Sequence, residues 1–343
     1  MKTQAIVFTA KERAELLTRE LPEMLPEQVL VKSDYSLISA GTELANYHAL
    51  PNTAPTHYLA DGAPDGYPVE PGYSTSGHVI KVGSAVKEFQ EGDKVLVFWN
   101  SHKSYHLVNA SSLYKIPEGI DMQEACFGNL ISFPMLGVRK LELQLGECAM
   151  VAGLGLLGLF AVQFARLSGA CPVLACDFSP ERREMARRLG ADCVFDPREE
   201  NFRQKVIDAS GGTGPHGVVE VTGSGAALQQ ALEYVAWEGR ISLLGCTRVA
   251  DQPVDFYRYV HKTGVRIIGA HALTRPQQES RPGEWTLRDD FRTMFRLMKT
   301  GRLQVRPLIS RLVSPADCDA VYHNIGFSQN PIFGNVFDWT KLD

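Results

Sequence analysis

The stretch GLGLLG, residues 153 to 158, follows the apolar run CAMVA and opens an amphipathic segment, LLGLFAVQFARLSG. In that setting the glycines have separate tasks: Gly153 allows a tight turn, Gly155 lets a pyrophosphate approach the backbone, and Gly158 lets the helix pack on the strand. The amides of Leu156 and Leu157 then face the anion from a positive helix end. Asp177 closes the next apolar run, where a carboxylate can bind both ribose hydroxyls of an adenosine and repel a 2'-phosphate. Together these residues read as a site for NAD(H). A simple turn residue ahead of Ser179-Pro180 is the other reading of Asp177, and Arg182 is either a second ribose contact or a solvated helix charge.

Strand and helix alternate around this motif: PVLACD, SPERREMARRLG and CVFD, then GVVEVTG, AALQQALEYVAWEG, GRISLLG and VRIIGAHA. The alternation predicts βαβ units on a parallel sheet. Thr222, Gly245, Cys246 and His271 fall at or just beyond the ends of these strands, on the side where a dinucleotide would lie. Residues 1 to 120 instead hold short β-rich runs such as QVLVKSDYSLI, GHVIKVG and DKVLVFW, broken by Gly, Pro and Asp. They predict an irregular β domain. After His271, TRPQQESRPGEWT reads as a polar surface excursion and LRDDFRTMFRLMKTGRL as a helix.

A chain of 343 residues exceeds what one core usually holds, so two domains are expected. With a formal charge of -4 and no long run of one sign, nucleic acid is not an expected partner. No stretch is long and apolar enough to span a bilayer, and the charged N-terminal segment lacks the apolar core of a secretory signal. Seven scattered cysteines without a CxxC pair point to reduced thiols, and a cytoplasmic location is expected.

The order of β domain, GDKV at 92 to 95, crossing helix, GLGLLG, and the strand ends VTGSG and LLG resembles the medium-chain dehydrogenase/reductase superfamily along nearly the whole chain. The resemblance implies an α/β protein: a GroES-like β domain over 1–128, a Rossmann doubly wound parallel sheet over 129–273, and a return segment, 274–343, completing the first domain. It also implies a homo-oligomer, dimer or tetramer. Where the zinc-dependent members carry a Cys-Gly-Thr-Asp type stretch, this chain has Ala40-Gly41-Thr42-Glu43. Where they carry Gly-His-Glu it has Gly72-Tyr73-Ser74, and Asn129 falls at the third ligand. None of these side chains is an ordinary zinc ligand, and VFWNSHKSYHLV contains no cysteine for a structural zinc. The chain therefore resembles a zinc-free branch with no metal. SLISAGTE and PGYSTSG resemble the group that includes bacteriochlorophyllide hydroxyethyl dehydrogenases and bacterial sugar or polyol dehydrogenases.

Hydride transfer without a Lewis acid needs neutral hydrogen-bond donors and a proton path. Thr42 matches the family's relay hydroxyl, or is a structural threonine. Tyr73 stands where a ligand stood, so its phenol either donates to the carbonyl oxygen or fills vacated space. Glu43 could orient Tyr73, take a proton, or pair with an arginine. The relay histidine of the family falls at Ala45, and His48, one helical turn on, is either its replacement or a surface residue. Trp99, Asn100, His102 and Asn129 fall where the family builds its substrate pocket, although Trp99 taken alone reads as core. The resulting expectation is a zinc-independent, NAD-dependent oxidoreductase acting on a secondary alcohol or its ketone, a sugar, cyclitol or other polyhydroxy compound. The alternatives are an NAD(P)H-dependent quinone or enoyl reductase, and a nucleotide-binding redox sensor or structural protein without turnover.

Overall fold

The computed structural model describes residues 1–50, 66–248, 252–327 and 333–342. The chain divides into two compact units, one of residues 1–130 and 294–343, the other of residues 131–293. In chain order the first unit contributes β1 (Lys2–Ala10), β2 (Arg13–Glu20), β3 (Gln28–Leu37), β4 (Ser74–Val82), β5 (Lys94–Phe98), β6 (Tyr105–Asn109) and β7 (Leu113–Lys115). The second contributes β8 (Ala149–Ala152), β9 (Val173–Cys176), β10 (Cys193–Phe195), β11 (Gly217–Glu220), β12 (Arg240–Leu243) and β13 (Arg266–Gly269). The chain then returns to the first unit with β14 (Ile309–Val313) and β15 (Gly334–Asp338).

The first unit is an irregular β fold, as its Gly- and Pro-broken runs predict. β1 and β2 form a hairpin, and a seven-stranded sheet runs β14-β15-β3-β4-β5-β7 with β6 paired to β3. Alternation along β3, β4 and β5 sends Val29, Val31, Val79, Val95 and Val97 into one apolar cluster, the period-two arrangement of a half-buried sheet. A second cluster joins Phe8, Tyr47, Tyr322, Phe337 and Trp339. It packs the helices Ala40–Tyr47 and Cys318–Phe327 against the hairpin and β15. The return segment is thus part of the first unit's core.

The second unit is a parallel six-stranded sheet in the order β10-β9-β8-β11-β12-β13. Its order reverses beside β8, the topological switch point of a Rossmann sheet. The residues of β8, β9 and β11 are all buried, as expected for strands covered on both faces. Residues 274–293 group with this unit and do not share the return segment's core. The reason is an ion cluster. Arg275, read from sequence as part of a surface excursion, is only 6% exposed. Its guanidinium donates to Asp290 at 2.9 Å and to the Ser132 carbonyl at 3.0 Å. Arg139 meets the other oxygen of Asp290 at 3.0 Å and lies over the Trp285 ring. A buried charge needs such partners to persist, and here they fasten a polar segment to the sheet domain.

Candidate active site

The helix Ala40–Tyr47 begins directly after β3, and Glu43 in its first turn points inward, 1% exposed. One carboxylate oxygen accepts the Ser39 amide at 2.7 Å. The other accepts the Tyr322 hydroxyl at 2.5 Å and lies 3.1 Å from His102 Nε2. Burial, together with the neighbouring Glu43, pushes the Tyr322 phenol well above its ordinary pKa, so it acts as a donor. His102 is fully buried, with Nδ1 2.7 Å from Ser36 Oγ, and Ser36 in turn accepts the Trp339 indole N–H at 2.8 Å. One proton assignment satisfies every group: Trp339 donates to Ser36, Ser36 to His102 Nδ1, and His102 Nε2–H to Glu43.

Tyr73 lies above this network. Its hydroxyl donates to Ser39 Oγ, and its ring sits against Trp99, centroids 5.7 Å apart. Glu43 is thereby linked to Tyr73 through Ser39. The Asn129 side-chain amide donates to the Tyr73 carbonyl at 2.9 Å, and the Asn129 backbone N–H donates to Ser74 Oγ at 3.1 Å. Trp99 has φ +56° and is 44% exposed, and its backbone N–H donates to the Tyr73 carbonyl at 2.9 Å.

The remaining residues singled out in this unit sit in different settings. Thr42 is half-buried, and its carbonyl accepts from Asn46. His48 caps the end of the helix, 3.0 Å from Glu12 Oε1 and edge-on to Phe327. Asn100 pairs with His106 Nδ1 at 3.2 Å. Burial holds His106 down to about 3, so that ring is neutral. Both nitrogens of His102 are engaged inside the protein, with Ser36 and Glu43.

In the second unit the motif forms a tight turn between β8 and the helix that follows it. Gly153 follows β8 with φ +95° and donates to the Cys176 carbonyl at 2.9 Å. A Cβ on Gly158 would lie 1.8 Å from the Gly153 carbonyl oxygen, so only glycine lets this helix approach the strand. A Cβ on Gly155 would meet nothing within 4 Å, and open space at that point is what an approaching pyrophosphate requires. Leu156 and Leu157 begin the helix Leu156–Leu167. Asp177 follows β9, with one oxygen accepting from Leu154 N at 2.8 Å and the other from Ser179 N at 2.9 Å. Arg182 Nη1 is 3.7 Å from the same carboxylate.

Thr222 follows β11, Gly245 and Cys246 follow β12, and His271 follows β13, so all the residues assigned to the cofactor lie beyond the C-terminal ends of the parallel strands. Two of these loops are pressed together: a Cβ on Gly245 would lie 2.3 Å from Gly223 N. Glu220, not singled out by the sequence, joins them: its backbone carbonyl accepts from Gly245 N at 2.9 Å, and its carboxylate binds the loop after β11. It is 1% exposed and accepts from Thr222 N at 2.7 Å and Gly223 N at 3.1 Å, and burial raises its pKa. Its signal was visible as a lone acid inside the apolar run GVVEV. Ser36, Tyr322 and Trp339 carry no such local signal.

Residues 26–131 match the alcohol dehydrogenase GroES-like domain family, and residues 157–299 match the zinc-binding dehydrogenase family. The chain carries the two domains of the medium-chain dehydrogenase/reductase superfamily. It is 26% identical over 331 residues to D-guloside 3-dehydrogenase of Escherichia coli (strain K12), covering 92% of this chain and 94% of that protein. It is also 26% identical over 334 residues to L-threonine 3-dehydrogenase of Pyrococcus horikoshii, covering 87% of each. The crystal structure of 2R,3R-butanediol dehydrogenase from Bacillus subtilis superposes with a TM-score of 0.83 at 20% identity over 98% of this chain and 99% of that one, which supports the shared fold. No helix among the described residues is long and apolar enough to cross a membrane.

Proposed function

We propose that this protein is an NAD-dependent oxidoreductase that interconverts a secondary alcohol and its ketone without zinc, on a sugar, cyclitol or related polyhydroxy compound. The observation that carries the reading is the phenol of Tyr73, held by Ser39 and backed by Trp99 at the position where zinc-dependent relatives have a ligand. The donor set does not fit zinc. Ala40 offers a methyl group, Asn129 directs its side-chain N–H to the Tyr73 carbonyl, and His102 and Glu43 are bonded to each other; among the described residues no cluster of His, Cys, Asp and Glu could hold a metal ion. The names of the relatives, a guloside 3-dehydrogenase and a threonine 3-dehydrogenase, support a secondary hydroxyl as the reacting group.

In this reading NAD(H) supplies the hydride chemistry, with Gly153, Gly155, Leu156 and Leu157 at its pyrophosphate and Asp177 at its ribose. With its proton directed to Ser39, Tyr73 Oη accepts the hydrogen bond of the substrate hydroxyl, and it donates to the ketone oxygen when the Ser39 hydroxyl turns to donate to it instead. Thr42 supplies a second hydroxyl on the adjoining helix. A neutral donor aimed at the developing oxyanion is typically worth about 3 to 4 kcal/mol of transition-state stabilisation.

The test is a turnover screen of secondary alcohols, sugars and cyclitols with NAD and NADP, and of quinones with NADPH, on protein whose metal content has been measured. Turnover of a polyhydroxy compound with NAD, resistant to chelators and lowered at least ~10-fold by Tyr73→Phe, is expected. One tightly bound zinc per chain with activity lost to chelation would overturn it. Asp177→Ser should raise the NADP-to-NAD ratio of kcat/KM by about tenfold or more, because it removes a charge that repels a 2'-phosphate and frees Arg182 to meet one. Equal efficiency with both cofactors in the unaltered protein would show that Asp177 does not select.

A further inference from the structure

We propose that Ser39 is the positioning residue for the Tyr73 phenol, itself held from behind by Glu43, Tyr322 and His102. This rests on the reading of Tyr73 as the group that bonds the substrate oxygen. Ser39 is the N-cap of the helix Ala40–Tyr47, yet its side chain makes no capping bond. A serine in that position ordinarily gives its oxygen to a first-turn amide. Here the first turn reaches back instead, from one position later than the acid of a capping box: Glu43 accepts the Ser39 amide at 2.7 Å. The serine hydroxyl is thereby left for Tyr73, which donates to it.

Glu43 has little freedom to swing. Its second oxygen is held by Tyr322 at 2.5 Å and His102 at 3.1 Å, and His102 is fixed by Ser36, which is fixed by Trp339. The same histidine supports Tyr73 from a second direction. Gly72, its neighbour, has φ +101°, and a Cβ there would lie 2.7 Å from the His102 ring. The backbone carrying Tyr73 therefore rests on the imidazole that braces Glu43. One buried cluster sets both the start of the tyrosine side chain and the acceptor at its end. A phenol meant to meet a substrate oxygen needs such restraint, because a displacement of ~1 Å can cost as much as ~100-fold in rate.

The experiment uses the full-length protein and three variants: Ser39→Ala, Ser39→Thr, which restores a hydroxyl, and Tyr322→Phe, which removes one brace and keeps the ring. Thermal melts establish which are folded. Two readouts follow, steady-state kinetics with NAD and the best alcohol, and the NMR signal of Tyr73 in protein carrying 13Cζ-tyrosine, assigned by its loss in Tyr73→Phe. Ser39→Ala is expected to lower kcat about tenfold or more with NAD affinity held within about twofold, Ser39→Thr to recover most of that loss, and Tyr322→Phe to give a smaller one. The Tyr73 signal should move in Ser39→Ala and Tyr322→Phe. A folded Ser39→Ala with normal kcat, or with an unmoved Tyr73 signal, overturns the proposal, and if Ser39→Ala does not fold, Tyr322→Phe decides by the same readouts. Should no alcohol be turned over by the unaltered protein, the functional reading fails while the Tyr73 signal still decides the positioning.

Discussion

Gly155→Ala and Gly158→Ala are expected to abolish dinucleotide binding in two different ways. At Gly155 the backbone has φ −66°, which alanine adopts freely, and a Cβ would meet nothing within 4 Å. That variant should melt like the unaltered protein and still lose NAD affinity by at least ~30-fold, because the added methyl group stands where the pyrophosphate approaches. At Gly158 the added Cβ would lie 1.8 Å from the carbonyl oxygen of Gly153 and 2.9 Å from its carbon. Both are backbone atoms of the turn and have no rotamer with which to yield. The helix Leu156–Leu167 must lift from β8, which breaks contacts of Leu159, Phe160 and Val162, all fully buried. Overpacking of this kind costs about 3 kcal/mol or more. Calorimetric melts together with titration of NAD separate the two effects. Normal NAD binding by Gly155→Ala would mean that no pyrophosphate lies against that turn.

Glu43→Gln should destabilise the first unit by about 2 to 4 kcal/mol, although the two side chains have nearly the same shape. The carboxylate receives three donors: the Ser39 amide, the Tyr322 hydroxyl and the His102 imidazole. A glutamine offers one oxygen. If its NH2 faces Tyr322 and His102, donors confront donors. His102 can escape by moving its proton to Nδ1, but Ser36, already accepting from Trp339, would then lose the acceptor for its own hydroxyl. If the amide is flipped, the NH2 meets the Ser39 N–H. Each arrangement leaves a buried donor unmet, which is the costly outcome in a closed network. Denaturant unfolding followed by tryptophan fluorescence would show it. A change below ~1 kcal/mol would mean that Glu43 already acts as a donor in the native protein and that the proton assignment is wrong.

What the sequence determined by itself was whatever depends on neighbours in the chain. GLGLLG after an apolar run fixes a strand, a turn and a helix start through steric rules that operate over six residues. The Pro180 start and the Gly190 end, at φ +113°, delimit the helix after β9 in the same local way. The strand and helix alternation of residues 149–269 predicts the parallel sheet, because each period states which faces are buried. The identity of the groups at the candidate catalytic positions, Thr42, Glu43 and Tyr73, was also readable, since it follows from aligned motifs.

The tertiary structure decided which partners those groups have. Glu43 meets Tyr322 across 279 positions of the chain, and Ser36 meets Trp339 across 303. No periodicity connects residues that far apart. His102, placed by its motif in the substrate pocket, is turned inward because Glu43 needs a donor and Ser36 supplies the complementary contact. Arg275 sits in a stretch as polar as any surface loop, yet the buried carboxylate of Asp290 draws it inside. Composition reports how polar a segment is, whereas the pairing that makes a polar group stable in the interior exists only once distant segments have been packed together.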